Sequence, residues 1–201
     1  MAEILLQQKE IRIDFFGSAR LTLEDLVIKK IENSFSKIIF GSMRMIEFDY
    51  PNEYWINLFL EMYKYGINIH HVSEEYESFG KYCEILGLFY DKYPQKKIHH
   101  VVKIAEPNFG HYVFHESRFN SLLFRYKKNL LTDNLYIVQW MWRGDLSQDN
   151  DRINNFFEFS HIIENCVENL KLNGHICYFY CFPYSIDFSE ICLGKIFIDG
   201  L

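Results

Sequence analysis

Residues 37–73 read KIIFGSMRMIEFDYPNEYWINLFLEMYKYGINIHHVS. Lys37–Met43 is a short apolar run broken by Gly41, the pattern of a buried strand. In Asn52–Tyr65 the apolar residues Trp55, Leu58, Phe59 and Met62 recur at helical spacing, and Gly66 stands where a helix closes. Ile67–Ser73 then returns to a short, β-branched apolar run. Strand, helix, strand within 37 residues is the signature of a parallel pair joined by a helical crossover.

The same alternation continues downstream. Helices are expected over Phe79–Tyr93, stopped by Pro94, and over Ser117–Leu130. A longer helix is expected over Asp151–Leu172, stopped at Asn173-Gly174, and a short one over Ile186–Leu193. Strands are expected at Ile98–Ala105, Leu135–Trp142, His175–Pro183 and Ile196–Asp199. Six strands and their intervening helices imply a parallel sheet with right-handed connections. Periodicity alone leaves open whether the sheet is doubly wound or the first part of a barrel. Residues 1–36 do not resolve into this pattern and are expected to form an N-terminal extension that plugs or edges it. Residues 37–201 are expected to be one domain.

The 201 residues are 49% hydrophobic and 18% aromatic, ample for a packed core, although a complete (β/α)8 barrel needs about 250 residues. The formal charge of −6 argues against a nucleic-acid or anionic-membrane surface. Lys96-Lys97 and Lys127-Lys128 are only pairs, and no apolar run reaches the ~18 residues of a membrane span. The odd set of five cysteines lacks a framework spacing, and the first residues lack the basic and apolar regions of a signal peptide, so a reducing, cytoplasmic setting is expected.

The histidine pairs His70-His71 and His99-His100 invite a metal reading, but adjacent strand residues point to opposite faces. His111 and His115 lie in a loop-like stretch with Pro107 and Gly110. Cys177 and Cys181 share a strand face but stand about 13 Å apart, too far for one zinc ion. No metal is expected. Trp140 and Trp142 share the face opposite Gln139 and are expected to pack on helices. Lys103, inside an apolar strand, is harder to place in a core, because lysines are seldom buried unpaired. If Lys103 points inward, so do Val101 and His99, while His100 and Val102 face the helices.

Four stretches carry a resemblance: Phe40-Gly41-Ser42-Met43, GINIHHVSEEY at Gly66–Tyr76, Val101-Val102-Lys103, and Leu135–Trp140 (LYIVQW). In this order and spacing they resemble the first-strand turn, the segment leading to the catalytic tyrosine, the lysine strand and the fourth-strand motif of the aldo-keto reductases. The resemblance covers roughly residues 37–201. It implies a TIM-barrel-like parallel (β/α) barrel, incomplete at about six strands. It also implies NADPH-dependent reduction of a small-molecule carbonyl or sugar substrate.

Carried over by position, Tyr76 matches the general acid and Lys103 the ammonium that lowers the phenol's pKa from about 10. His71 stands where the family has the aspartate that pairs with the lysine, and Gln139 where it has the histidine that orients the substrate oxygen. A neutral His71 can hydrogen-bond Lys103, whereas a protonated one repels it. Gln139 keeps an amide donor for a carbonyl. Gly41, Ser42 and Met43 would line the NADPH site, with Ser185 as a poor counterpart of the residue that holds the nicotinamide amide. The strands whose loops hold the adenosine phosphate are not found. The alternative is therefore an inactive or truncated barrel homologue acting in binding or assembly. Exposed strand edges would then be covered by a second copy or a partner chain.

Overall fold

The computed structural model describes residues 35–105, 116–133, 135, 137–141, 160–174, 176 and 178–182. The chain divides into two units, Met1–Ser36 and Lys37–Leu201, and all described elements belong to the second. They are β1 (Ile39–Gly41), a 3-10 turn (Met45–Glu47), α1 (Asn52–Lys64), β2 (Ile69–Val72), α2 (Phe79–Lys92), β3 (His99–Ala105), α3 (Glu116–Asn129), β4 (Ile137–Met141), α4 (Ser160–Leu172) and β5 (Tyr178–Phe182). The expected N-terminal extension, the start of the helix expected from Asp151, the short helix after Ser185 and the sixth strand lie outside the described residues.

Among the described residues all strand pairs are parallel, and the spatial order is β1-β2-β3-β4-β5, the order of the chain. That order decides between the two architectures. A doubly wound sheet reverses direction at a switch point and puts helices on both faces. Strands laid down consecutively through right-handed crossovers put every helix on one face, as in a barrel wall. Among the described residues the sheet stays open, so the unit is an incomplete α/β barrel.

Strand parity sorts the side chains. His70, Val72, His100, Val102, Ile104, Val138, Trp140 and Phe179 are buried on the helix side. Trp55, Ile56 and Phe59 of α1 and Tyr82, Ile85, Leu86 and Phe89 of α2 pack with them, followed by Phe119, Leu122, Leu123 and Tyr126 of α3. Cys166, Val167 and Leu170 of α4 complete the layer. Each such side chain contributes about 1.5–3 kcal/mol on leaving water, so this layer dominates the energetics. Trp140 packs there as expected; Trp142 lies outside the described residues.

Helix ends follow the backbone. At Gly66 (φ +78°) the Gly66 and Ile67 N–H groups donate to the Tyr63 and Met62 carbonyls, a Schellman closure of α1. α3 closes in the same way, with Thr132 N–H donating to the Lys127 carbonyl, but the left-handed position is Leu131 (φ +52°).

Candidate active site

Parallel register aligns rows of residues across the inner face. Gly41 pairs with His71, and His71 with Val101. One step further toward the C-terminal ends, Lys103 pairs with Gln139, and Gln139 with Tyr180. The C-terminal end of parallel strands is where barrels build their sites, because the loops that follow the strands gather there. His71, Lys103 and Gln139 come from three adjacent strands, and Tyr76 from the loop after β2.

The four side chains meet. His71 Nε2 lies 2.9 Å from Gln139 Oε1, and His71 Nδ1 lies 3.3 Å from the Tyr76 hydroxyl. An amide oxygen only accepts, so Nε2 carries the imidazole hydrogen. Nδ1 then accepts from the Tyr76 hydroxyl. Burial pulls the His71 pKa below its usual value, and the Lys103 charge lowers it further against the opposing bond to Gln139. His71 is thus neutral, with both ring nitrogens bonded to groups other than Lys103. Of the two alternatives the sequence left open for His71, the neutral one holds, with its hydrogen bonds going to Gln139 and Tyr76.

Lys103 is 7% exposed. Its Nζ stands 4.6 Å from the centroid of the Tyr76 ring and 3.6 Å from Glu75 Oε2. The ammonium therefore lies over the face of the phenol ring, where the ring quadrupole attracts it by about 0.5–2 kcal/mol. Glu75 was not singled out from the sequence. Its only signal was adjacency to Tyr76 in an acidic loop, and an acidic loop residue is ordinarily a solvated one.

The loop that brings Glu75 and Tyr76 inward is fastened to β3. The Tyr126 hydroxyl donates to the Lys103 carbonyl (2.7 Å) and accepts from Glu74 N–H (2.8 Å). The Ser73 hydroxyl donates to the same carbonyl (3.3 Å) and accepts from Glu75 N–H (3.3 Å). Tyr76 N–H donates to the Ser73 carbonyl, and Arg125 pairs with Glu74 at 2.9 Å. Desolvation raises the Tyr126 pKa far above its usual value, so its hydroxyl stays a donor.

The four residues matched to the cofactor site separate. Gly41 ends β1 in the His71 row, and among the described residues no heavy atom comes within 4 Å of where a Cβ would stand. Met43 is exposed beyond it. Ser42 is fully buried, its hydroxyl and N–H both donating to the His71 carbonyl and its own carbonyl accepting from the Ser78 hydroxyl. Its side chain fastens the turn after β1 to the end of β2. Ser185 lies outside the described residues. Among the described residues no group of three or more histidine, cysteine or acidic side chains is arranged to hold a metal, and no helix is long and apolar enough to cross a membrane.

A second polar cluster lies on the helix side. The Tyr82 hydroxyl bridges His70 Nδ1 (2.8 Å) and His100 Nε2 (2.9 Å), all three being buried. Desolvation lowers the pKa of His70 well below 6.5 and that of His100 to about 3, each helped by a neighbouring histidine. Both imidazoles are neutral.

No protein-family model and no curated protein matches the chain. Solved structures do. An aldo-keto reductase from Bacillus halodurans in its holo form is 17% identical, with a TM-score of 0.56 over 82% of this chain and 51% of its own. A putative aldo-keto reductase from Pseudomonas aeruginosa is 18% identical, with a TM-score of 0.59 over 80% of this chain and 60% of its own. A third, from Klebsiella pneumoniae in complex with NADPH, is 16% identical, with a TM-score of 0.56 over 78% of this chain and 49% of its own. The chain spans about half the length of these structures. At these identities the likeness is one of fold. In fold, the described unit is similar to about half of an aldo-keto reductase barrel.

Proposed function

We propose that the chain carries an aldo-keto-reductase-like site that reduces a carbonyl or sugar substrate with NADPH, Tyr76 serving as the general acid. The observation that carries this reading is the stacking of the Lys103 ammonium over the Tyr76 ring at the C-terminal end of a barrel-type sheet. A cation held against a phenol favours the phenolate, so the hydroxyl gives up its proton more readily.

A bound nicotinamide would supply the hydride. Of the residues matched to that cofactor, Gly41 has no described residue crowding it beside His71, and Met43 is exposed at the same strand end. Ser42 is not available to it. This chain's own residues do the rest. Tyr76 holds a proton that rests on His71 Nδ1, and a carbonyl oxygen arriving beside Tyr76 competes for it. Gln139 fixes the imidazole through Nε2 and keeps its amide N–H2 as a donor for the same oxygen. Lys103 compensates the charge left on the phenolate.

A second reading, ligand binding without turnover, is favoured by the Tyr76 hydroxyl pointing its hydrogen at His71. The two readings separate in one experiment. NADPH should quench the tryptophan fluorescence of the protein and be oxidised with an aldehyde or aldose. The Tyr76→Phe variant should keep the quenching and lose turnover by at least about a hundredfold. Turnover untouched by Tyr76→Phe would remove the assignment, and quenching without any turnover would select the second reading.

A further inference from the structure

Lys103 is an ammonium in the wall of a parallel sheet, and such a charge persists only where an anion and hydrogen bonds replace water. In the neighbouring row the inward residue of β2 is His71, a neutral imidazole bonded to Gln139 and Tyr76. A carboxylate nevertheless arrives, from the loop: Glu75 Oε2 lies 3.6 Å from Lys103 Nζ, with both side chains largely buried. Among the described residues, Glu75 and Tyr76 of the loop after β2 lie against Lys103, Gln139 of β4 is its ladder neighbour, His71 of β2 feels its charge, and Tyr180 of β5 stands two strands away in the same row. Of these, Glu75 is the anion.

We propose that Glu75 is a positioning residue, the counter-ion that keeps Lys103 charged and seats its ammonium against Tyr76. The surrounding bonds serve that purpose. Ser73 and Tyr126 both donate to the carbonyl of Lys103 itself, and both receive an N–H from the segment that carries Glu75. The carboxylate is thus fixed relative to the very residue it neutralises. Glu74 turns the other way, to Arg125. The carboxylate thus reaches the ammonium from the same loop that carries Tyr76. This inference concerns the site of the reductase reading and rests on that reading only for its effect on turnover.

The test follows the Lys103 side chain by proton–carbon NMR of lysine-labelled full-length protein, its signal assigned by its loss in Lys103→Met. Glu75→Gln should lower the pH at which Lys103 deprotonates by about one unit or more. Glu74→Gln should leave it in place. A second carboxylate on the strand, in His71→Asp/Glu75→Gln, should return it toward the starting value. An unchanged titration in Glu75→Gln, or an equal shift in Glu74→Gln, would overturn the proposal. If Glu75→Gln alone does not fold, Glu75→Gln/Lys103→Met removes both charges and should fold; its failure counts equally against the counter-ion role. These readouts need no turnover, so a protein without reductase activity still answers the question.

Discussion

Tyr126 bonds in two directions at once, to the carbonyl of the lysine strand and to the N–H of the loop that carries Glu75 and Tyr76. Replacing it by Phe keeps the buried ring and removes only the oxygen. The Glu74 N–H then loses its acceptor in a part-buried place, at a cost of about 1–3 kcal/mol. Tyr126→Phe is therefore expected to lower the urea midpoint and to loosen Glu75 from Lys103, whereas Phe124→Ala, on the exposed side of α3, should do neither. Equal urea midpoints for Tyr126→Phe and the parent would show that the hydroxyl fastens nothing. At this scale Tyr76, Lys103, His71 and Gln139 were named through the resemblance of the stretches that hold them, and strand parity added only the inward face of Lys103. It did not reveal Glu75, Ser73 or Tyr126. Their roles depend on the path of an irregular loop and on one helical tyrosine touching it, and neither leaves a periodic trace.

Among elements, α1 and α3 end by the same closure with different residues at the left-handed position, Gly66 and Leu131. Only glycine adopts that conformation without a steric cost of about 1–2 kcal/mol. Leu131 is largely exposed, so trimming it sacrifices little packing. Leu131→Gly should raise stability by about 0.5–1 kcal/mol once the added freedom of the unfolded chain is subtracted, and Gly66→Ala should lower it by about 1 kcal/mol. Thermal melts of the two variants check both signs; a destabilised Leu131→Gly would mean that its side chain matters more than its backbone. Gly66 announced its helix end in the sequence, and Leu131 gave no such notice. Among the described residues five of the six expected strands are in place, two of them clearly shorter than their apolar runs: Ile39–Gly41 within residues 37–43 and Ile69–Val72 within residues 67–73. Hydrophobicity marks what is buried, while a strand ends where its neighbour ceases to pair. The Met45–Glu47 turn, packed through buried Met45, was not anticipated.

For the whole molecule, burying two neutral histidines makes stability depend on pH. His70 and His100 have folded pKa values below the ordinary 6.5, the second at about 3. As pH falls below about 6.5 the unfolded chain takes up protons that the folded protein refuses. The stabilisation is complete above that value and declines as the pH moves down toward 3. The slope approaches about 1.4 kcal/mol per pH unit for each buried histidine. His71 and His99, also lowered by desolvation, act in the same direction. The urea midpoint should hold steady from pH 8 to 7 and drop clearly by pH 5; a flat profile would mean that the Tyr82 cluster opens at little cost. Consecutive strand order was a feature of architecture that periodicity left undecided, since a run of strands and helices is written alike for a barrel and a doubly wound sheet. The choice rests on which strands become neighbours, a long-range matter.

Two consecutive histidines on β2, and two more on β3, straddle the backbone and so inhabit separate compartments. Across a single peptide bond, His70 is sealed among aromatic rings while His71 converses with a tyrosine and an amide at the rim. The sheet acts here as a partition one residue thick, setting the same kind of side chain in a dry packing on one side and in a hydrogen-bonded polar row on the other.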